Sequence, residues 1–245
     1  MKEQQKKYEL TDEFIEHWSG KKLYRIKALV AFGAVVAGRL GGFVESDKNL
    51  DQSLSSNAWV YGNARVYGNA RVYGNARVYG DAQVYGDAWV YGNARVYGDA
   101  QVCGDAQVCS NAWVCSNAWV YGNARVYGNA RVYGNARVYG DAQVYGDAQV
   151  YGDAWVYGNA QVRSYAVISE RKMIFWASNV GSENGTLTVF NGKDGLIVTH
   201  GCFAGPVDEF LAKSAEVHDD KTKNEYKLLI EVAKSRILGV KDERN

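Results

Sequence analysis

The sequence predicts a mainly β protein whose central part is a solenoid. From Asn57 to Ser164 a six-residue unit, Asn/Asp-Ala-x-Val-Tyr-Gly, recurs eighteen times without an insertion or deletion. Within each unit, alanine and valine alternate with x and tyrosine, a period of two that places alanine and valine on one side of a strand. Glycine and asparagine or aspartate then supply a turn, because these residues tolerate positive φ. A strand that turns every six residues winds into a coil with an alanine and valine core.

The unit resembles the hexapeptide repeat of left-handed parallel β-helices. That resemblance implies a triangular, left-handed coil of three units, and eighteen units make about six coils of 18 residues. We therefore expect an N-terminal β cap with an irregular first coil in residues 1–56, a solenoid in residues 57–168, and a small α+β domain in residues 169–245.

The N-terminal segment is expected to close one end of the solenoid, since a solenoid end exposes unpaired strand edges. Tyr8 to Leu10 and Leu23 to Leu29 predict two strands around a turn near Gly20. Phe14, Ile15 and Trp18 are placed in a short helical turn between them. The repeat register is predicted to be interrupted near Asn49 to Ser53.

The outer surface of the repeat does not single out a ligand site. Residues 57–86 are identical to residues 117–146, an offset that turns the copy by one side of the coil. A face shaped for one ligand would be spoiled by that rotation, so a rod or spacer is the favoured interpretation. The alternative is lateral packing of the aromatic flanks into a homotrimer or other homo-oligomer.

Composition limits the classes of partner. The chain carries 28 basic and 27 acidic residues, and the repeat tract has eight arginines against seven aspartates. This balance gives little electrostatic attraction for nucleic acid or a membrane. The N-terminal stretch lacks the apolar core of a secretion signal, and the four cysteines are interpreted as reduced thiols. A cytoplasmic protein is expected.

Three of the cysteines, Cys103, Cys109 and Cys115, are six residues apart. They are expected to point outward from three successive sides of one coil, too far apart for a disulfide or a tetrahedral metal site. No metal site and no cofactor is predicted.

An enzymatic alternative follows from the resemblance, because hexapeptide-repeat proteins include acyltransferases acting on acyl-coenzyme A and trimeric carbonic anhydrases. Those transferases use a histidine base on or beside the coils, and the anhydrases hold a metal with several histidines. Here the repeat contains no histidine. An acyltransferase would need His200 or His218 brought against the rod in an oligomer.

The C-terminal segment changes period. Lys172 to Ala177, Thr186 to Phe190 and Leu196 to Thr199 predict three strands, with a hairpin turn between the last two. Gly205-Pro206 predicts the start of one helix, and Asp219/Asp220 the start of a second. A three-stranded sheet with two helices is expected.

The candidate site residues lie in this C-terminal segment. His200 and Cys202 are the candidate catalytic residues, since a cysteine near a histidine can form a nucleophile pair. A buried cysteine that packs as a small hydrophobe is the favoured alternative for Cys202. The candidate binding residues are Trp176, Ser178, His200, Cys202 and Phe203, around a pocket at one sheet edge.

Both flanks carry a second resemblance. Leu23 to Leu29 with Leu40 to Glu45, and Gly185 to Phe190 with Gly201 to Gly205, are similar to the ends of uncharacterised hexapeptide-repeat proteins of phages and prophages. This similarity implies a phage or prophage accessory protein in the cytoplasm of a bacterial host, and proteins of that setting often bind or block a host component, including host defence proteins. Because the repeat is featureless and the C-terminal segment is not repetitive, we expect a non-enzymatic binding protein whose C-terminal domain recognises a host protein or a small signalling molecule. An acyltransferase and a nucleotide sponge are the two competing hypotheses for the function.

Overall fold

The computed structural model describes residues 5–239 and shows a mainly β protein with one long parallel solenoid. Met1 to Gln4, which belong to the stretch considered for a secretion signal, lie outside the described residues. No helix in the described range is long and apolar enough to cross a membrane.

Each repeat unit forms one two-residue strand made of x and valine, as the alternation predicts. These strands, β4 to β21, are Trp59–Val60, Arg65–Val66, Arg71–Val72, Arg77–Val78, Gln83–Val84, Trp89–Val90, Arg95–Val96, Gln101–Val102, Gln107–Val108, Trp113–Val114, Trp119–Val120, Arg125–Val126, Arg131–Val132, Arg137–Val138, Gln143–Val144, Gln149–Val150, Trp155–Val156 and Gln161–Val162. A last strand of the same type, β22, is Val167–Ile168.

The repeat strands stack in parallel into three sheets of nine, seven and six strands, the nine including three strands of the N-terminal cap that pair antiparallel with one another. Every third strand pairs, so that Arg95 lies beside Trp113 and Val96 beside Val114, 18 residues on. The coil therefore contains three units, as the resemblance implies. The seven-stranded sheet sets the length at about seven turns, one more than predicted from the repeat alone, because β22 extends the stack.

The interior of the coil is alanine and valine. All eighteen alanines and all eighteen valines of the repeat are fully buried. The backbone of each strand bonds to the next coil, as from the Arg95 amide to the Ala112 carbonyl at 2.9 Å. At the corners, Gly86 takes a φ of +71° and packs directly on the backbone of Gly104, whereas Ser110 and Ser116 adopt the same conformation at 59° and 60°.

The N-terminal cap contains three strands, β1 (Tyr8–Glu16), β2 (Lys22–Ala28) and β3 (Leu40–Val44). β1 and β2 form an antiparallel hairpin, with Phe14 beside Tyr24 and Ile15 beside Leu23. The predicted helical turn at Phe14 and Ile15 was therefore wrong: the pairing with β2 overrides the local signal.

The first coil is irregular because its paired residues are further apart in sequence than those of the repeat. Val44 pairs with Val66 and Leu50 with Val72, each 22 residues on instead of 18. The extra residues lie between Leu50 and Trp59, which confirms an interruption of the repeat near the predicted place. Trp59 is the exception among the outward x residues, since Tyr8 and Phe32 cover its ring at 6.0 and 5.3 Å and bury it.

Side chains of the cap replace the backbone donors that a preceding coil would supply. The Lys7 ammonium donates to the carbonyls of Ser56 and Ala58, each at 3.3 Å. The Asn49 amide donates to the carbonyls of Gly68 and Ala70 at 3.0 and 2.9 Å. Buried carbonyls left without donors are costly, so these contacts close the solenoid end.

The C-terminal region is an antiparallel four-stranded sheet with two helices. After a 3-10 turn at Arg171–Met173 come β23 (Ile174–Val180), β24 (Gly185–Gly192), β25 (Gly195–His200), β26 (Phe203–Pro206), α1 (Val207–Val217) and α2 (Asp220–Leu238). The prediction of three strands missed β26, which pairs with β25 immediately before α1. Asp219 caps α2 by accepting from the Thr222 amide.

This sheet closes the other end of the solenoid. Ile174 and Phe190 belong to the same buried core as the repeat valines. The Gln161 amide donates to Thr188 Oγ1 at 3.1 Å, and Thr199 Oγ1 donates to the Gln161 carbonyl at 2.7 Å. The opposite face of the sheet packs under α1 and α2 in a second core that includes Leu187, Val198 and Tyr226. We call residues 171–239 the C-terminal cap.

Candidate functional site

His200 lies at the end of β25 and is held by hydrogen bonds at both ring nitrogens. Nδ1 is 3.2 Å from the Thr186 carbonyl oxygen, and Nε2 is 2.8 Å from the Tyr226 hydroxyl on α2. A carbonyl can only accept, so Nδ1 carries the proton and Nε2 accepts from Tyr226. Burial raises the pKa of Tyr226, which keeps that hydroxyl a donor.

The loop between β23 and β24 fits closely over this pair. The Gly181 amide donates to Glu225 Oε2 at 3.0 Å. Gly181 has a φ of +72°, and a Cβ atom there would lie 1.8 Å from the Tyr226 hydroxyl oxygen. Phe210 packs edge-on against His200 and Tyr226 at 6.2 and 5.1 Å. His200 is thus part of the packing between sheet and helices, with both of its nitrogens engaged.

Cys202 does not pair with His200 on a strand. It lies in the turn between β25 and β26, and its side chain is exposed. The burial expected for this cysteine was wrong, because Cys202 lies in an exposed turn and the next strand, β26, begins only at Phe203. The backbone carbonyls of Cys202 and Phe203 accept from the Arg163 guanidinium, which ties this turn to the last coil of the solenoid.

The candidate binding residues are divided between the two faces of the sheet. Trp176 faces the solenoid, where its ring meets Tyr157 edge-on at 4.2 Å, and Ser178 bonds Thr186 Oγ1 at 3.1 Å on the same face. His200 and Phe203 face the helices, with Phe203 against Phe210 at 5.4 Å. The structure does not bring these five residues together around one pocket.

The outer surface of the solenoid has three sides, each with one column of x residues. Side A, over the seven-stranded sheet, carries Trp59, Arg77, Arg95, Trp113, Arg131 and Gln149. Side B, over the nine-stranded sheet, carries Arg65, Gln83, Gln101, Trp119, Arg137 and Trp155. Side C, over the six-stranded sheet, carries Arg71, Trp89, Gln107, Arg125, Gln143 and Gln161.

Ladders of like residues run along these sides. Tyrosine rings one coil apart are stacked, as for Tyr127 and Tyr145 at 4.8 Å with an interplanar angle of 3°. Arginine guanidiniums lie over tryptophan rings, and Arg137 is 5.4 and 5.2 Å from Trp119 and Trp155. These contacts stabilise neighbouring coils by about 0.5–1.5 kcal/mol for each aromatic pair.

The cysteines of the repeat interrupt the tyrosine stacks, one on each side of a single turn. Cys103, Cys109 and Cys115 are half-buried free thiols. Burial raises the pKa of the Cys103 thiol, which disfavours the thiolate that a nucleophile or a metal ligand requires. Among residues 5–239, no three histidine, cysteine, aspartate or glutamate side chains lie close enough to hold a metal ion.

Shallow grooves follow the corners between coils. One of about 480 Å³ is lined by Lys48, Arg71, Trp89 and Gln107 together with Asp87 and Asp105. Another, of about 410 Å³ on side C, contains Arg125 between Asp105 and Asp141. None of the five residues predicted to bind a ligand lines either groove.

Tyr226, Glu225 and Arg163 were not predicted to be partners of the His200 region. Tyr226 is 26 residues from His200 and lies in the predicted second helix, so no spacing in the sequence relates the two residues. Arg163 carried a usable signal, since it is the one position where the repeat replaces tyrosine by a charged residue.

Comparison with known proteins bears on the solenoid alone. A family described as the YdcK beta solenoid repeat matches residues 58–72, 70–86, 82–98, 88–104, 118–131, 130–146 and 148–164. No curated protein gave a match. All the matched segments lie inside the repeat, so the tract from Asn57 to Ser164 is similar in sequence to the YdcK β-solenoid repeat, and its structure is that of a parallel β-solenoid.

Proposed function

We propose that this protein is a non-catalytic binding scaffold, in which a solenoid closed at both ends carries a recognition surface on its C-terminal cap. The capped ends support this role, because side chains occupy the backbone groups that would otherwise pair with further strands. A solenoid closed in this way holds its two ends at a fixed distance from each other.

The hydrogen bonds of His200 favour binding over chemistry. In the acyltransferase alternative, His200 or His218 would act as general base beside the coils. His200 faces the helices, away from the solenoid, and its Nε2 lone pair accepts the Tyr226 hydroxyl. His218 follows the last residue of α1 and packs edge-on against Tyr226 at 5.5 Å.

The observation that carries the proposal is the outer surface of the two helices. Val217, Leu228, Val232 and Leu238 are 63%, 58%, 53% and 67% exposed. Leu228 and Val232 are one helical turn apart and thus neighbours on one face of α2. Exposed aliphatic side chains grouped on one element are typical of protein-binding surfaces.

The partner in this proposal is another protein that buries Leu228 and Val232. A phage or prophage setting, with a host component such as a defence protein as the target, is part of the proposal and rests on the resemblance of the two flanks. Cytoplasmic action in a bacterial host belongs to the same proposal.

The test replaces this surface without disturbing the cap. Removal of the whole C-terminal region would take away Ile174 and Phe190, which extend the solenoid core, and expose the last coil. The variant is therefore Leu228→Lys with Val232→Lys in the full chain. Protein partners are captured from a bacterial host lysate and quantified by mass spectrometry. The matched control is Trp119→Lys, an apolar-to-lysine change on an exposed position of side B.

We expect a partner captured by the wild type and by Trp119→Lys to be lost, by about tenfold or more, with the helix variant. Retained capture by the helix variant, with loss for Trp119→Lys, would contradict the proposal and place recognition on the solenoid. The mass of each variant by light scattering separates a second copy from another partner, because a dimer formed through α2 would dissociate in the helix variant.

A further inference from the structure

At the N-terminal end of side A, a groove of about 380 Å³ lies between the N-terminal cap and the first coils. Its lining consists of Ala34, Arg39, Tyr61, Arg77, Tyr79 and Arg95. This volume falls in the range of small-ligand sites.

The groove concentrates positive charge. It contains three guanidinium groups, and no aspartate or glutamate is among its lining residues. Within residues 5–239, none of the three arginines lies in a salt bridge with a carboxylate. Arg77 and Arg95 are direct register partners on adjacent strands, whose backbones lie about 4.8 Å apart. Like-charged side chains at directly paired positions repel, and a bound anion would relieve the repulsion.

The corner that precedes the strands of side A adds no carboxylate to the groove. In the first coils its residues are the asparagines Asn57, Asn75 and Asn93, where the Asn57 amide donates to Asn75 at 2.9 Å and the Asn75 amide to Asn93 at 3.0 Å. On side C the same positions place Asp87 and Asp105 in the groove beside Arg71. Asp81 and Asp99, at the corner that follows the strands of side A, are not among the lining residues of the groove.

Two of the three arginines are held in place by aromatic rings, and Arg39 also by the loop of the N-terminal cap. The Arg39 guanidinium lies 5.6 Å from the centroid of the Tyr61 ring, and that of Arg95 lies 5.0 Å from Trp113. The loop that carries Arg39 is fixed by hydrogen bonds from the Gly38 amide to the Ala28 carbonyl at 2.7 Å and from the Arg39 amide to the Val36 carbonyl at 3.2 Å. Preorganised cations lose less entropy when they bind an anion.

The parallel stacking of the tyrosine rings ends at this groove. Tyr79 and Tyr97 are stacked at 4.8 Å with an interplanar angle of 2°, but Tyr61 is turned by 89° to Tyr79 at 6.5 Å. Two rings at different angles border the guanidiniums, an arrangement that gives a planar group an aromatic surface to contact.

We infer that this groove binds a ligand with two or more phosphate groups, held by the guanidiniums of Arg39, Arg77 and Arg95. Guanidinium matches phosphate through paired hydrogen bonds, and neighbouring arginines suit neighbouring phosphates. A nucleoside triphosphate and an inorganic oligophosphate share this chemistry. Only the nucleoside triphosphate carries a base, which would contact the ring of Tyr61.

The experiment titrates the full chain with ATP and with inorganic tripolyphosphate by calorimetry at low and moderate salt. The variant is Arg77→Gln with Arg95→Gln. Glutamine is chosen because other units of the repeat carry it at the same position, as at Gln83. The matched control is Arg125→Gln on side C, whose groove also holds two aspartates.

We expect the wild type and Arg125→Gln to bind tripolyphosphate equally, the double variant to bind at least about tenfold more weakly, and added salt to weaken binding. ATP binding that Tyr61→Leu weakens, with tripolyphosphate binding unchanged, identifies a nucleotide. Equal binding of both ligands by Tyr61→Leu and wild type supports the site with an inorganic ligand.

No binding of either ligand by the wild type at millimolar concentration would overturn the inference. An equal loss in Arg125→Gln and in the double variant would also overturn it, because attraction to the whole surface would then suffice. The Leu228→Lys, Val232→Lys variant should bind tripolyphosphate as the wild type does, so this result is independent of the proposed protein partner.

Discussion

The solenoid and the C-terminal cap are stabilised by different kinds of contact. In the solenoid, a residue's environment depends on its position in the six-residue unit, so that Val108 is buried as Val90 and Val126 are. In the C-terminal cap, each contact is particular to its residues, as for His200 between Thr186 and Tyr226. A substitution in the solenoid should therefore cost little stability, because equivalent contacts remain in the neighbouring coils. The same substitution in the C-terminal cap removes a contact that occurs only once.

This difference indicates that a specific function belongs to the caps and to their contacts with the repeat, and not to the regular coils. The chain has already exchanged tyrosine for cysteine at three positions of one turn, and the strands there keep their register. The residues that give the molecule distinct surfaces are those where the cap meets the repeat, such as Arg39 and Arg163, or those that lie outside the repeat.

The largest expected effect is at Phe190, the cap residue that extends the core of the solenoid. Phe190→Ala should lower the free energy of unfolding by about 3–5 kcal/mol, the usual cost of a buried phenylalanine. Tyr127→Cys, which repeats the exchange found at Cys109, should cost only about 0.5–1.5 kcal/mol through its lost ring stack. Urea unfolding measures both. Equal costs for the two variants would remove the contrast between the regions.

Gly181 tests the fit of the loop over His200. Gly181→Ala should cost about 1–3 kcal/mol, since the new Cβ atom displaces the Tyr226 hydroxyl and the left-handed backbone disfavours alanine. The control is Gly201→Ala, also at positive φ but with nothing within 4 Å of the new atom. Thermal unfolding should place Gly181→Ala below Gly201→Ala, and the reverse order would contradict the packing described.

The pH dependence of stability tests whether the Lys7 ammonium closes the N-terminal end of the solenoid. Burial lowers the pKa of Lys7 from 10.5 to about 8. Between these values the unfolded chain binds the proton and the folded chain releases it, so stability rises with pH. From pH 8 to 9.5 we expect the wild type to gain about 1–2 kcal/mol relative to Lys7→Met. The comparison is made with Lys7→Met because burial also raises the pKa of tyrosines such as Tyr8 and Tyr85, and their ionisation in the unfolded chain lowers the stability of both proteins over the same range. Equal slopes of stability against pH in the two proteins would show that the ammonium is not buried.

The solenoid could be predicted from sequence because its signal is repeated eighteen times. The alternation of Ala58, Trp59 and Val60 predicted which side chains point inward, and the coil of three units followed from the resemblance to hexapeptide repeats. The prediction did not extend to Trp59, because the residues that bury it, Tyr8 and Phe32, come from a segment with no periodic pattern.

The caps and the candidate site could be predicted only in part. The strands around the Asn191 to Gly195 turn and both helices carried local signals, and these were confirmed. Strand β26 is four residues long and ends at Pro206, which was interpreted only as the start of a helix. The division of Trp176 and His200 between opposite faces of the sheet depends on pairing with β24, which no spacing within either segment specifies.

The three-unit coil is the interchangeable part of this protein. We compare the removal of residues 99–116, one whole coil that contains Cys103, Cys109 and Cys115, with the removal of residues 99–107, half a coil. Thermal unfolding followed by circular dichroism compares both with the full chain. We predict one cooperative transition near the wild-type temperature for the 18-residue deletion, because it joins matching coils and restores the tyrosine stacks, and no folded state for the nine-residue deletion. Failure of the 18-residue deletion to fold, or equal tolerance of both, would contradict this account.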